Sequence, residues 1–160
     1  MKFKASLDLA AWIITASILL LFLAVSGFGL ITIPHTFIPG LIPIVLPWVI
    51  ILVCFVLSPR YYIVHADRII IKRLWRSVII SRRDIQLCRT VTSIEIGGLT
   101  RYGGVGGLFG YFGVFLSSQL GLLKLYATRQ KNFVMLHTNS NKRIMLSPDE
   151  PLAFTRLVCD

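Results

Sequence analysis

Residues 9–59 contain no Asp, Glu, Lys or Arg. A helix crossing the hydrocarbon core of a bilayer needs about 20 apolar residues. A run of 51 uncharged residues is too long for one such helix and long enough for two. Residues 9–30 and 41–57 supply one each, and Pro34, His35, Thr36, Pro39 and Gly40 break helical continuity between them. Pro43 fits a first helical turn, whereas Pro47 is expected to kink the second helix. Trp12 and Trp48 are candidate interfacial anchors, although Trp48 lies deep in its segment. Neither segment carries a charged residue, the usual mark of a transport path, so the pair reads as an anchor.

Lys2 and Lys4 precede the first segment, Arg60 and Arg68 follow the second, and the connection between them has no charge. Basic flanks stay on the cytoplasmic side. The expectation is a transmembrane helical hairpin over residues 1–59 with both termini cytoplasmic. A signal peptide remains an alternative for the first segment, with Lys2 and Lys4 as its basic start and Ala24-Val25-Ser26 as its cleavage site. Arg60 places the following domain on the same side in either case.

Residues 60–160 hold 15 of the 17 basic residues and 6 of the 7 acidic ones, a net of +9. This is a second domain of about 100 residues, long enough to bury its own core. Cys54, Cys88 and Cys159 have neither zinc nor redox spacing and read as three unpaired thiols, which fits a reducing compartment.

The texture of this domain is β-rich. Residues 61–65, 68–74 and 77–81 are short runs of Ile, Val and Tyr, and Ala66-Asp67 is a tight turn. Residues 88–96 alternate in part. Residues 122–128 alternate well, with Leu123, Leu125 and Ala127 on one face and Lys124, Tyr126 and Thr128 on the other. Residues 133–138 and 143–146 follow after polar turns. That makes about seven antiparallel strands. Ser147-Pro148-Asp149-Glu150 reads as a capping box opening a last helix, whose buried stripe is Phe154, Leu157 and Val158.

The succession of these runs, together with Gly106-Gly107-Leu108-Phe109-Gly110-Tyr111-Phe112-Gly113, then Leu120-Gly121, Tyr126-Ala127-Thr128-Arg129 and Leu146-Ser147-Pro148-Asp149, resembles bacterial pleckstrin-homology (PH)-like domains in small membrane-anchored proteins. The resemblance covers about residues 60–158. It implies a bent barrel of about seven strands with a C-terminal helix, no catalysis, and a location at the bacterial inner membrane. Eukaryotic phosphoinositide binding does not carry over, because the first hairpin turn here has only Asp67 and Arg68 as charged residues.

Two groups of residues are candidates for contact with a partner or with lipid. Lys72, Arg73, Arg76, Arg82, Arg83 and Arg89 lie within 18 positions. Attraction of such residues to an anionic leaflet is worth about 1 kcal/mol each. Arg129, Lys131, Lys142 and Arg143 lie in two turns. The second group is Phe109, Tyr111 and Phe112, inside an uncharged stretch, 102–123, that is rich in glycine and aromatics. Three readings of that stretch stay open: an aromatic loop dipping into the membrane interface, an excursion packed on the domain, and a third span. A phosphate-binding loop is excluded, since no Lys followed by Ser or Thr completes one.

No residue set forms a catalytic or metal motif, so neither an enzyme nor a cofactor is expected. Nucleic acid is not expected either, since an RNA-binding aromatic signature is missing. The sequence points to a membrane-anchored binding or scaffolding module. Its expected partners are membrane lipid and an unidentified protein, with self-association left open. The alternative is an accessory subunit of a transport or envelope complex assembled through the hairpin.

Overall fold

The apolar run folds as two helices that touch each other. The structure, a computed structural model, describes residues 1–32 and 42–159. The turn expected at Pro34, His35, Thr36, Pro39 and Gly40 therefore lies outside the described residues, as does Asp160. α1 (Leu9–Thr32) has 24 residues, about 36 Å at 1.5 Å per residue. Among the described residues it is the one helix, over Leu9–Ile31, long and apolar enough to cross a membrane. α2 (Ile42–Leu57) has 16 residues and continues through Pro47. At about 24 Å it falls short of the usual span. Trp48 is turned toward α1, where its indole N–H donates to Ser26 Oγ at 2.9 Å.

The first sheet has the order β1-β2-β3-β4 and is antiparallel throughout: β1 (Lys2–Lys4), β2 (Tyr61–Val64), β3 (Arg68–Lys72) and β4 (Val78–Ser81). The second holds β5 (Ile85–Val91), β6 (Leu99–Gly107), β7 (Gly110–Ser117), β8 (Gly121–Ala127), β9 (Phe133–Thr138) and β10 (Arg143–Leu146). Its order is β5-β9-β10-β8-β7-β6. A four-residue helix, α3 (Ser93–Ile96), follows β5, and α4 (Pro151–Cys159) closes the chain.

The strands number ten among the described residues, in two sheets, where about seven in one bent barrel were expected. Three of the extra strands come from segments without a strand pattern: Lys2–Lys4, read only as a basic flank, and the glycine-rich stretch, which pairs with itself as the hairpin β6–β7. The order is also not purely antiparallel. β10 inserts between β9 and β8 and runs parallel to β8, with Arg143 opposite Leu123 and Leu146 opposite Tyr126.

Alternation along β9 shows why the larger sheet is buried on both faces. Val134 and Leu136 enter a core between the two sheets and α4, with Tyr62, Ile69, Ile71, Leu146 and Phe154. Phe133 and Met135 enter a second core with Ile96, Tyr111, Phe115, Leu125 and, from α1, Ala11. The Phe154 ring stands edge-on to Phe3 at 5.2 Å and to Tyr62 at 6.1 Å. The expected stripe of α4 is thus turned inward, with Phe154 and Val158 buried and Leu157 packed beside them.

The expected capping box does not form, because Ser147 is used elsewhere. Its buried Oγ accepts the amides of Thr128 at 2.8 Å and Arg129 at 3.3 Å. α4 begins instead at Pro151, whose fixed φ suits a first helical position. The reading of three unpaired thiols misses one proximity: Cys88 in β5 and Cys159 at the end of α4 lie within disulfide reach of each other, with Cα atoms 5.8 Å apart, a pairing that a separation of 71 positions hides from the sequence. Cys54 is buried and unpaired.

Candidate functional site at the helix–domain junction

Strand register decides which residues share the end of the domain next to the helices. Tyr61, four residues past the end of α2, lies opposite both Lys4 and Lys72. The Ala5 amide donates to the Arg60 carbonyl at 3.1 Å, and the Arg60 amide to the Lys72 carbonyl at 2.9 Å. The ends of β1, β2 and β3 are therefore level with the end of α2. The β3–β4 turn, residues 73–77, returns to that same level.

The segment before α1 is bound to the domain at several points. Asp149 accepts the Ser6 amide at 3.0 Å and the Ser6 hydroxyl at 2.6 Å, and it pairs with Arg129. Arg129 Nε also donates to the Ser6 carbonyl at 3.1 Å. Asp8 accepts the Ala11 amide at 2.8 Å, which caps α1, and the Gln130 amide at 3.1 Å, which ties that cap to the turn after β8. Burial, with the charge of Asp8 adding to it, pushes the Tyr111 phenol up.

The tip of the β6–β7 hairpin fits between the two helices. Phe109 has a positive φ of 54°, and both its backbone polar groups are taken by helix hydroxyls. Its N–H donates to Thr15 Oγ1 of α1 at 3.0 Å. Its carbonyl accepts from Ser58 Oγ, one residue past α2, at 2.5 Å. Its ring stands edge-on to Phe55 of α2 at 5.2 Å. Gly107 approaches α1 closely enough that a Cβ there would meet Ile14 at 3.0 Å.

These contacts leave a cleft of about 300 Å³ lined by Lys4, Ser6, Phe55, Arg60, Phe109 and Thr128, among others. Arg60 lies over the Phe55 ring at 4.6 Å, and Lys2 over Tyr61 at 3.8 Å. The two cations that line the cleft, Lys4 and Arg60, stand beside the aromatic rings of Phe55 and Phe109 and suit an anionic group attached to an apolar body.

The basic residues singled out in the sequence do not form one patch. Lys72, Arg73 and Arg76 lie at the helix-proximal end. Arg73 stacks over Tyr126 at 4.8 Å. Arg82 and Arg83 lie at the opposite end, because β4 runs the length of β3 away from the helices and Ser81 pairs with Arg68. Arg82 donates to the Val158 carbonyl at 3.0 Å and so holds the end of α4. Arg89 pairs with Glu95 and holds that carboxyl below its usual range. Of the aromatic group, Tyr111 and Phe112 are each 5% exposed on β7, and Phe109 contacts α2. The sequence reading passed over Thr15, Ser58 and Asp8. For two of them a signal was available: Asp8 stands just before the first apolar helix and Ser58 just after the second, whereas Thr15 lies inside α1.

Among the described residues no group of three or more His, Cys, Asp or Glu is placed to hold a metal. Comparison with curated proteins finds no match, and comparison with solved structures finds none. The family model for the bacterial PH domain matches residues 60–159. That span takes in β2 to β10 and α4, so the chain belongs to the bacterial PH domain family.

Proposed function

We propose that this chain is a membrane-anchored binding module that holds its PH domain in a fixed orientation at the cytoplasmic face of the membrane. In this reading α1 and α2 form a hairpin in the bilayer, residues 60–160 make up the cytoplasmic domain, and the domain presents its surface to a protein partner or to anionic lipid. The apolar length of α1 and the basic flanks Lys2, Lys4 and Arg60 support the anchor. The observation that carries the reading is the double hydroxyl clamp on Phe109. A domain that was merely tethered would need one linker, whereas this one is fastened to both helices.

The role is presentation without chemistry. Four of the six carboxylates among the described residues are engaged in structure: Asp8 caps α1, Asp67 pairs with Arg68, Glu95 with Arg89 and Asp149 with Arg129.

The test is extraction and topology of the intact protein. It is expected to stay in the membrane pellet in alkaline carbonate. A reporter active only outside the cytoplasm is expected to be silent when fused after Cys159 and active when inserted at Thr36. Release by carbonate, or the reverse reporter pattern, overturns the reading.

A further inference from the structure

The β3–β4 turn carries two large apolar side chains with nothing over them. Leu74 is 55% exposed and Trp75 is 77% exposed, at the tip of a hairpin whose Ile69, Ile71 and Ile80 face a core and whose Ile79 is also exposed. Register places this turn level with the end of α2. Trp75 and the α2 residues Leu52, Val53, Val56 and Leu57 line a groove of about 310 Å³ between turn and helix. Cations flank the tip on both sides: Lys72 and Arg73 before it, Arg76 after it. Arg73 Nε is buried and has no hydrogen-bond partner among the described residues.

We infer that this turn is a lipid wedge: Leu74 and Trp75 insert into the interface of an anionic bilayer beside α2, and Lys72 and Arg76 bind the phosphates above them. The inference rests on the anchoring read above. What selects lipid over a protein as the occupant is the groove itself, because its second wall is the apolar flank of α2. Whatever solvates that flank also covers Trp75. In a bilayer this is an acyl chain, and the level of Trp75, where a helix leaves the apolar layer, is the level that indole rings prefer. The flanking cations lie where the headgroup phosphates of that layer run. The wedge gives the domain a third point of fixation, through α2 residues other than the Phe55 and Ser58 that meet Phe109.

The test uses the full chain reconstituted into phosphatidylcholine vesicles, with and without phosphatidylglycerol, containing lipids brominated at a shallow or a deep acyl position. One variant, Trp12→Phe with Trp48→Phe, leaves Trp75 as the emitter; a second, Trp12→Phe with Trp75→Phe, leaves Trp48. Trp75 is expected to emit to the blue of a water-exposed indole and to be quenched chiefly by the shallow bromines. The quenching should be stronger with phosphatidylglycerol and should fall toward the neutral-lipid level when Lys72→Gln and Arg76→Gln are added. Trp48 is expected to be quenched by the deep bromines. If Trp48 is quenched and Trp75 emits as in water, the wedge is wrong and the anchor stands. If Trp75 is shielded but no bromine quenches it, a protein or a second copy covers the turn, which also overturns the wedge. If neither tryptophan is quenched, the anchor fails and the wedge with it.

Discussion

The backbone N–H of Phe109 and the hydroxyl of Thr15 meet at 3.0 Å across 94 positions of chain, and this bond joins the β-domain to the first helix. The same hydroxyl donates to the Ala11 carbonyl at 2.7 Å and lies 3.3 Å from the Gly107 carbonyl. Thr15 is buried, so its Oγ1 serves both helix and hairpin in one water-poor site.

Thr15→Val keeps the shape and removes the hydroxyl. The Phe109 amide then loses its acceptor, and an unsatisfied buried donor costs about 1–3 kcal/mol. Ser58→Ala removes the matching donor to the Phe109 carbonyl. Each variant is expected to lower the thermal midpoint of the full chain in detergent. The double variant is expected to free the hairpin tip, seen as faster amide exchange confined to residues near 109. Unchanged exchange in the double variant would show that the two hydroxyls do not hold the domain.

The hairpin itself depends on two glycines facing each other. Gly104 and Gly113 are paired across β6 and β7, with φ of 139° and 125°. A Cβ on Gly104 would meet the Phe112 carbonyl oxygen at 2.3 Å, and one on Gly113 the Gly103 carbonyl oxygen at 2.4 Å. Neither clash is with a flexible side chain, so the strands must separate. Gly113→Ala is expected to abolish accumulation of folded protein. Gly103→Ala, where a Cβ meets nothing within 4 Å, is the matched control and is expected to fold. Similar yields for the two variants would contradict the close backbone approach.

Tyr62 links the two sheets. Its hydroxyl donates to the Tyr126 carbonyl at 2.6 Å and accepts the Ser147 amide at 3.3 Å. Burial pushes the phenol from 10.0 up to about 12. The protonated form is the one the fold favours, so this contribution is fully present below pH 10 and is lost as pH rises toward 12. A shift of this size corresponds to about 3 kcal/mol. Denaturant melts of the wild type are expected to lose stability more steeply between pH 10 and 12 than those of Tyr62→Phe, which has no proton to lose. Parallel curves would mean that Tyr62 ionises as freely in the fold as in water.

Much of this architecture is legible in the sequence. Runs of β-branched residues mark β2, β3 and β4, and alternation marks β8, because those strands each bury one face. The i, i+3, i+4 stripe of Phe154, Leu157 and Val158 marks α4 for the same reason. What is hidden has a physical reason in each case. β6 is built around Gly103, Gly104, Gly106 and Gly107 and has little side-chain alternation to detect; backbone proximity makes it a strand. β1 is three residues whose partner lies beyond both helices. Ser147 carries a helix-start signature, but tertiary donors at Thr128 and Arg129 claim its oxygen first. The basic residues from Lys72 to Arg89 are neighbours along the chain and are parted by the β3–β4 hairpin, so linear clustering overstates the patch. Trp75 was passed over because an isolated Trp between arginines has no pattern until the turn is placed beside α2.

The paired cysteines give an independent reading of which side of the membrane the domain occupies. Cys88 and Cys159 are close enough to bond and join α4 to β5, and closing so long a loop is worth about 4 kcal/mol by chain entropy. Disulfides are rare in the cytosol, where thiols are kept reduced. The orientation proposed from Lys2, Lys4 and Arg60 therefore requires both thiols to be free in growing cells, with α4 held by Phe154, Val158 and the bond from Arg82 to Val158. After acid quenching and alkylation of whole cells, both cysteines are expected to be labelled without prior reduction. After oxidative purification, the pair is expected to close and to stabilise the wild type over Cys88→Ser by up to about 4 kcal/mol. A pair already bonded in freshly quenched cells would put the domain outside the reducing compartment, and the cytoplasmic orientation would fall.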